Sequence, residues 1–366
     1  MVFSHKDRVT TSSLSTEVVN SLMALPSCSH GPANRFTRKS AKDGSARDFY
    51  ACSAVRDRKE CPLFHWVDEW ERKMALKRKL ADPEDVEPTT SYSSLSQDHH
   101  HAQLVRRKLT PSSAMGDDFL ANSKIQSASQ YFFDNQTLDL MVELIKSIRP
   151  QPRVLCLGCP TIATRLSEFT SPILLDIDDR LPNVVKFNMF TNHFFDSQDH
   201  HQVRSMEFDL VVADPPFQPA LLPKLASTIR SLAPDARLFL CFPYFENSAV
   251  QASFPLLKRT DIRLSYENHR KYKGAGRTPV RLYVSASLED DCLETGFLDY
   301  VCCPKCKRLV HASLNRHCDD CETCTTIHGS AFYVHCKTCK KCIKPGWEHC
   351  DHCQRCTSPD HHCSAA

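Results

Sequence analysis

The chain has 366 residues, 41% of them hydrophobic and 24% charged, which is enough for one sizeable core with satellite modules. Its net charge of +3, from 46 Lys+Arg against 43 Asp+Glu, excludes a global field that would drive it onto nucleic acid or an anionic membrane, so any such contact must be local. The longest apolar stretches, such as Leu238 to Phe245, fall far short of the ~20 residues needed to span a bilayer.

Residues 1–25 are rich in Ser and Thr, show no period and read as a flexible tail. The opening MVFSHKDRVTTSS has no apolar segment and no small-residue cleavage site, so a secretory route is not expected. The 20 cysteines are then expected as reduced thiols that bind metal rather than as disulfides.

Residues 26–70 crowd Cys, His, aromatic and basic side chains into a stretch too short for its own apolar core. Cys28, His30, Cys52 and Cys61 are four ligands of the right kind for one closed tetrahedral zinc site. The surrounding FYACSAVRDRKECPLFHWVDEW resembles a GRF-type zinc finger. That resemblance implies binding of single-stranded nucleic acid, with bases on Phe49, Tyr50 or Trp66 and Arg56 and Arg58 on phosphates. A purely structural finger is the competing reading. Residues 71–115 begin with ERKMALKRKLADPED and continue through Ser, His and Pro, which predicts a short helix and then a linker.

Between residues 116 and 292 short apolar runs alternate with helix-like segments: RVLCL, ILLDI, FDLVVAD, RLFLCFP, DIRLSY and VRLYVSA. This predicts an α/β domain, a Rossmann-like, doubly wound and mostly parallel sheet. The last two runs are joined by ENHRKYKGAGRTP, which reads as a hairpin and hence an antiparallel edge. Such a sheet is typical of class I methyltransferases.

In VVADPPF, Asp214, Pro215, Pro216 and Phe217 directly follow an apolar strand, at the edge where open α/β sheets bind ligands. The segment resembles the (D/N)PP(F/Y/W) motif of amino methyltransferases. There the acidic side chain and a proline carbonyl accept hydrogen bonds from an exocyclic amine, and the aromatic ring stacks on the base. An adenine N6 is a poor nucleophile because its lone pair is delocalised, and such acceptors would sharpen it. A simple strand terminator is the competing reading.

Gly158, at the end of RVLCLGCP, would form the turn beneath a cofactor, although Cys159 and Pro160 stand where a GxGxG turn has further glycines. About twenty residues on, Asp176 ends the next strand, where a carboxylate would hold ribose hydroxyls. The segment SQYFFDNQT, with Gln130, Tyr131, Phe132 and Phe133, resembles the Gln-aromatic segment that covers S-adenosylmethionine in related enzymes. Asn188, in FNMFTNHFFD, would contact the adenine end of that cofactor, and Asp214 would also adjoin it. Both aromatic segments read equally as core, and so do Phe242, Tyr244 and Phe245, which otherwise line the target pocket.

Residues 300–366 form a ladder of Cys and His. HCDDCETCTT recurs as HCDHCQRCTS, each preceded by a Cys-x-x-Cys pair. Cys303, Cys306, Cys318, Cys321, Cys324, Cys336, Cys339, Cys342, Cys350, Cys353, Cys356 and Cys363, with His317, His335, His349 and His362, make sixteen ligands. Four Cys3His zinc sites would use them all, with Cys302 and His361 as alternates and the pairing open. With the N-terminal site this makes about five zinc ions. The stretch also resembles the cysteine-rich domain of DHHC palmitoyltransferases, through Asp360 to Cys363. Those enzymes sit between transmembrane helices, so the match reads as a shared zinc scaffold.

A GRF finger, an ADPPF methyltransferase and a DHHC-like ladder, in that order, are similar to the CCHC-zinc-finger ribosomal RNA adenine-N6 methyltransferase family. The resemblance implies N6-methylation of an adenosine in large-subunit (28S) ribosomal RNA, with S-adenosylmethionine as donor and zinc in the fingers. It also implies a nuclear or nucleolar location, with a cytoplasmic pool open. Two family features are missing: a further finger in the linker and a CCHC knuckle near the C-terminus. Alternatives are adenine-N6 methylation of another RNA or DNA, and a catalytically inactive RNA-binding adaptor.

Overall fold

The computed structural model describes residues 25–40, 43–55, 57–81, 130–269, 278–285, 299–328 and 331–363. The expected tail apart from Leu25, the linker beyond residue 81, Arg56 and the loop 270–277 lie outside the described residues. The chain divides into two compact units, Met1–Arg107 and Lys108–Ala366. No helix among the described residues is long and apolar enough to cross a membrane.

In the first unit, β1 (Ser27–Cys28) and β2 (Gly31–Pro32) form a small hairpin that carries Cys28 and His30 at its turn. The strands β3 (Asn34–Lys39), β4 (Ala46–Ala51) and β5 (Phe64–Trp66) form an antiparallel sheet. The register sets Phe36, Phe49 and Trp66 directly across from one another. Side-by-side aromatic pairs of this kind stabilise a small sheet that has little other core. Helix α1 (Val67–Ala81) follows, and Arg47 ties down its first turn through Asp68 and Glu69 at 3.0 and 2.7 Å.

In the second unit, α2 (Asn135–Ile148) is capped by Asp134, whose carboxylate accepts from the Thr137 amide. It buries Leu138, Met141, Val142 and Ile145, a helical stripe against the sheet. There follow β6 (Val154–Leu157), α3 (Pro160–Leu166), β7 (Ile173–Asp176), β8 (Val184–Asn188), β9 (His193–Phe194), α4 (Ser197–Arg204), β10 (Leu210–Ala213), α5 (Leu222–Leu232), β11 (Arg237–Pro243), α6 (Asn247–Ser253), β12 (Leu257–Arg263) and β13 (Val280–Ser285). The sheet order is β12-β13-β11-β10-β6-β7-β8-β9, with β11, β10, β6, β7 and β8 parallel. The central strands VLCL and LVVA are buried at every position, as expected of parallel strands covered on both faces. This is the doubly wound, class I methyltransferase arrangement.

The sheet ends, as expected, in an antiparallel hairpin, β12 and β13. β13 inserts between β11 and β12, antiparallel to both, and leaves β12 outermost. The apolar run VRLYVS of β13 is buried at all positions but the last, so it gains more in the interior of the sheet than at its rim.

The zinc region covers that rim. Hairpin β14 (Tyr300–Cys302) and β15 (Leu309–His311) sends Arg308 to the main-chain oxygen of Arg259 at 3.2 Å and to Asp261 at 3.2 Å. Leu309 joins the same hydrophobic core as Ile262 and Leu282. An open strand edge is thereby masked. Then come β16 (Asn315–Cys318), β17 (Thr323–His328), β18 (Ala331–Phe332), β19 (Val334–Cys336), β20 (Lys341–Ile343), β21 (Glu348–Cys350) and β22 (Arg355–Thr357), paired as successive small antiparallel units.

Candidate active site and zinc centres

Gly158 ends β6 with φ +66, and its amide donates to the Leu175 carbonyl at 3.1 Å. A Cβ here would lie 2.9 Å from Met189 Cε and 3.0 Å from the Asp214 main-chain oxygen. Glycine is therefore required twice, for the left-handed backbone and for the close approach of the β10 end. The missing second glycine has a local explanation. Cys159 is buried, its thiol directed to the Val212 carbonyl at 3.3 Å, and Pro160 starts α3 at a position that needs no amide proton. Gly158→Ala is expected to cost roughly 1–2 kcal/mol. Calorimetry should also show weakened S-adenosylmethionine binding, because the turn beneath the cofactor must open.

Asp176, at the end of β7, is 2% exposed. Its Oδ1 accepts from Gln130 Nε2 at 2.8 Å and from the Asp178 amide at 2.9 Å, while Oδ2 is buried with no partner. Burial and the nearby Asp178 charge push its carboxyl up to about 7, against the hydrogen bonds that favour the carboxylate. An orphaned acceptor beside an amide side chain fits a ligand that brings hydroxyl donors, such as a ribose. The fold thus brings together two of the predicted cofactor residues, Gln130 and Asp176.

With its pKa raised above the unfolded value of 3.8, the carboxyl destabilises the ligand-free fold progressively between pH 4 and 7, and fully above 7. Asp176→Asn is expected to raise stability at pH 8 by on the order of 1–3 kcal/mol. Relief of ionisation contributes about 4, less the cost of an unpartnered amide nitrogen. The gain should shrink at pH 5, as read by denaturant unfolding, and cofactor affinity should fall.

The neighbouring aromatics divide. Phe132 and Phe133 are 1% and 3% exposed, and Phe133 stacks on Tyr266 with ring centres 4.7 Å apart. They belong to the core, contrary to their expected role over the cofactor, because burying a phenyl ring stabilises by about 2 kcal/mol that a solvent-facing lid would forgo. Tyr131 is half-buried, its ring 4.5 Å from that of His269. Asn188 is buried at the end of β8 and accepts from the Phe190 amide at 3.0 Å, which shapes the following turn.

Asp214 follows β10, its amide bonded to the Leu157 carbonyl at 3.0 Å. Tyr266 Oη donates to its Oδ1 at 2.8 Å. Burial pushes the Asp214 carboxyl well up, the Tyr266 hydrogen bond opposes this, and the Asp176 charge adds to it. Pro215 is buried, and the Pro216 carbonyl accepts from the Gln218 amide at 2.7 Å, so the motif makes a tight turn. The half-buried Phe217 ring meets Phe242 edge-on at 5.5 Å and lies 6.5 Å from the Tyr266 ring. Phe242 is fully buried, whereas Tyr244 and Phe245 are 46% and 60% exposed just beyond β11.

Tyr266 escaped the sequence reading, as did Asn268, which clips the segment before α2 by accepting from the Phe132 amide and donating to the Gln130 carbonyl. Tyr266 ends the run DIRLSY and Asn268 lies two residues beyond it, and nothing local marks them, since their partners are 52 to 138 residues away.

Five Cys3His groups gather within the described residues: Cys28, His30, Cys52 and Cys61; Cys303, Cys306, His317 and Cys324; Cys318, Cys321, His335 and Cys342; Cys336, Cys339, His349 and Cys356; Cys350, Cys353, His361 and Cys363. Ligand atoms within each group lie within 4.8 Å of one another, with Cys339 Sγ to His349 Nδ1, for example, at 3.2 Å. Tetrahedral zinc with sulfur at about 2.3 Å needs edges of about 3.8 Å, so the donor sets fit zinc.

The last group corrects one expected ligand. His361 Nε2 lies 3.0 Å from Cys353 Sγ and 3.4 Å from Cys363 Sγ, while His362 is exposed and Cys302 stands outside every group. The His361 amide closes a turn onto the Ser358 carbonyl, and this turn swings that ring, not its neighbour, toward the thiols. Each Cys-x-x-Cys knuckle is followed by a left-handed residue, Lys307, Glu322, Lys340 or Gln354, so the repeat is fourfold rather than twofold.

In the N-terminal module, Tyr50 is buried with Ala33 and Val67, so it offers no stacking face. Arg58 lies over the Phe64 ring at 4.1 Å and Arg47 over Trp66 at 4.1 Å. Arg58 is exposed, with its guanidinium held against an aromatic face.

A family model described as "Probable N6-adenine methyltransferase" matches residues 124–287. The human protein named rRNA N(6)-adenosine-methyltransferase ZCCHC4 is 30% identical over 406 residues, 92% of this chain and 78% of the relative. Its Xenopus laevis counterpart is 30% identical over 370 residues, 83% and 74% respectively. Among solved structures, Aeropyrum pernix fibrillarin in complex with S-adenosyl-L-methionine aligns at 13% identity over 40% of this chain and 74% of its own, with a TM-score of 0.29.

Proposed function

The chain belongs to the family of the rRNA N(6)-adenosine-methyltransferase ZCCHC4, and on that footing we propose that it transfers a methyl group from S-adenosylmethionine to N6 of an adenosine in large-subunit ribosomal RNA. The observation that carries this reading is the Asp214 carboxylate, held by Tyr266 beside the half-buried ring of Phe217 and seated on the backbone of Gly158.

When bound, S-adenosylmethionine supplies an electrophilic methyl group. Gly158 leaves room for it at the end of β6, and Asp176 with Gln130 offers acceptors to its ribose. An adenine taken out of its stack rests on Phe217, with its amine presented to Asp214 and to the Pro215 carbonyl. Asp214 as a carboxylate accepts a hydrogen bond from the N6 amine, which favours a lone pair directed out of the ring system. Tyr266 occupies Oδ1 and fixes the carboxylate's orientation, so reorganisation at the moment of transfer is small. The five zinc groups hold the small modules that have no adequate core of their own. On this reading the protein works in the nucleolus.

The test is transfer of a labelled methyl group from S-adenosylmethionine to purified large-subunit ribosomal RNA, with nucleoside analysis of the product. Labelled N6-methyladenosine is the expected result. Label on DNA alone, or on no nucleic acid, would overturn the reading.

A further inference from the structure

One face of the outer sheet carries charge that methyl transfer does not use. Arg259, Asp261 and Arg263 alternate along β12 with the buried Thr260 and Ile262, so they share the face away from the main core. Across the ladder Arg259 stands opposite Tyr283 and Arg263 opposite Arg281. The next ladder sets Tyr283 beside Leu240 and Arg281 beside Phe242, the residue whose ring meets Phe217. The basic row therefore adjoins the target pocket.

Arg308 brings a fourth guanidinium to this face, and the carboxylates close to the row are Asp261 and Glu246. Asp261 is bound to Arg308 at 3.2 Å, and Arg263 donates to the Thr326 hydroxyl at 2.9 Å. Among the described residues, Arg281 donates to the main-chain oxygens of Thr278 and Val280, at 2.9 and 3.0 Å, and lies 5.2 Å from the ring centre of Tyr244. No carboxylate among the described residues pairs with the half-buried Arg259. Tyr283 is fully buried near Arg259, Arg281 and Arg308, and its hydroxyl has no hydrogen-bond partner among the described residues. Burial chiefly, with the neighbouring Arg263 and Arg259 charges, pulls the Arg281 guanidinium down to about 10, against the opposing charge of Asp261.

An unneutralised cationic row with an orphaned hydroxyl calls for an anion with several acceptor oxygens. Its position beside Phe242, with the exposed rings of Tyr244 and Phe245 at its margin, calls for one attached to stacking bases. The geometry points to a seat for a backbone phosphodiester of the substrate RNA next to the methylated adenosine, in which Arg259 contacts the phosphate and the Tyr283 hydroxyl and Arg281 lie beneath it. Tyr244 and Phe245 then offer stacking surfaces to a flanking base. This assignment rests on the RNA methyltransferase reading above.

The experiment measures binding of a short, adenosine-containing single-stranded RNA to the full chain across a salt series, for wild type, Arg259→Gln and Tyr283→Phe. S-adenosylmethionine affinity and methyl transfer are measured in parallel. Arg259→Gln is expected to weaken RNA binding about tenfold at low salt and to make the salt dependence shallower by about 0.7 in log–log slope, as loss of one phosphate contact requires. The isosteric Tyr283→Phe should weaken binding less, with the slope unchanged, and both variants should keep wild-type cofactor affinity. A wild type that methylates RNA while Arg259→Gln retains full affinity and slope overturns the phosphate seat alone. A wild type that neither binds nor methylates RNA overturns the seat together with the reading on which it rests.

Discussion

Asp214→Ala is expected to lower kcat/KM for methyl transfer by about 10²- to 10³-fold, with zinc content unchanged and S-adenosylmethionine still bound. The carboxylate acts on the amine chiefly as the lone pair is released, so its loss falls on the transition state more than on substrate binding. Asp214→Asn keeps an acceptor oxygen at the same place and should lose far less. The two variants also separate in pH dependence. Because burial raises the Asp214 carboxyl well above its ordinary range, wild-type activity should fall as pH drops through that raised value and the acceptor gains a proton. The asparagine variant has no such group and should show a flatter profile. Transfer assays across pH for the three proteins decide the matter, and full activity of Asp214→Ala would exclude the mechanism.

Removing zinc is expected to have the largest effect on structure. Among the described residues the hairpins between residues 299 and 363 gather a small cluster, Cys303, Val310 and Cys324, rather than a core of their own, and isolated two-stranded hairpins are marginal in water. Structural zinc in small fingers contributes about 10 kcal/mol or more per site, which exceeds anything these strands supply themselves. The sites are also chained. His317 and Cys318, His335 and Cys336, and His349 and Cys350 are adjacent residues that ligate neighbouring sites, so a slack site loosens the next. Cys339→Ala, which removes a thiol 3.2 Å from His349 Nδ1 and 3.4 Å from Cys356 Sγ, should therefore release more than one equivalent of metal and open the region to protease. Because Arg308 and Leu309 cover β12, the loss should lower the melting temperature of the methyltransferase core as well. Loss of a single equivalent with unchanged protease resistance would show the sites to be independent.

Much of this was legible in the sequence because it is local. The runs RVLCL, FDLVVAD and RLFLCFP each announce a buried strand by length and composition, and ADPPF announces a strand end with chemistry on it. Cys-x-x-Cys spacing identifies a metal ligand without any knowledge of its partners. The harder cases were residues whose local pattern suits two fates. Phe132 and Phe133 read equally as cofactor lid and as core, and only the packing of Phe133 on Tyr266 separates these outcomes. DIRLSY and VRLYVSA read as an antiparallel edge hairpin, and the sheet adds which of the two strands is outermost, β12.

By itself, then, the sequence determined the kinds of element, the ligand types and the acidic residue at the end of β10, since all of these follow from side-chain chemistry and short-range period. Only the tertiary structure decided the pairings. Tyr266 reaches Asp214 across 52 residues and Gln130 reaches Asp176 across 46. His361 displaces its neighbour as ligand because a backbone turn directs its ring toward Cys353 and Cys363. The physical reason is that a hydrogen bond or a metal edge is set by geometry of an ångström or less, and the path of the folded chain supplies that geometry where residue type and spacing do not.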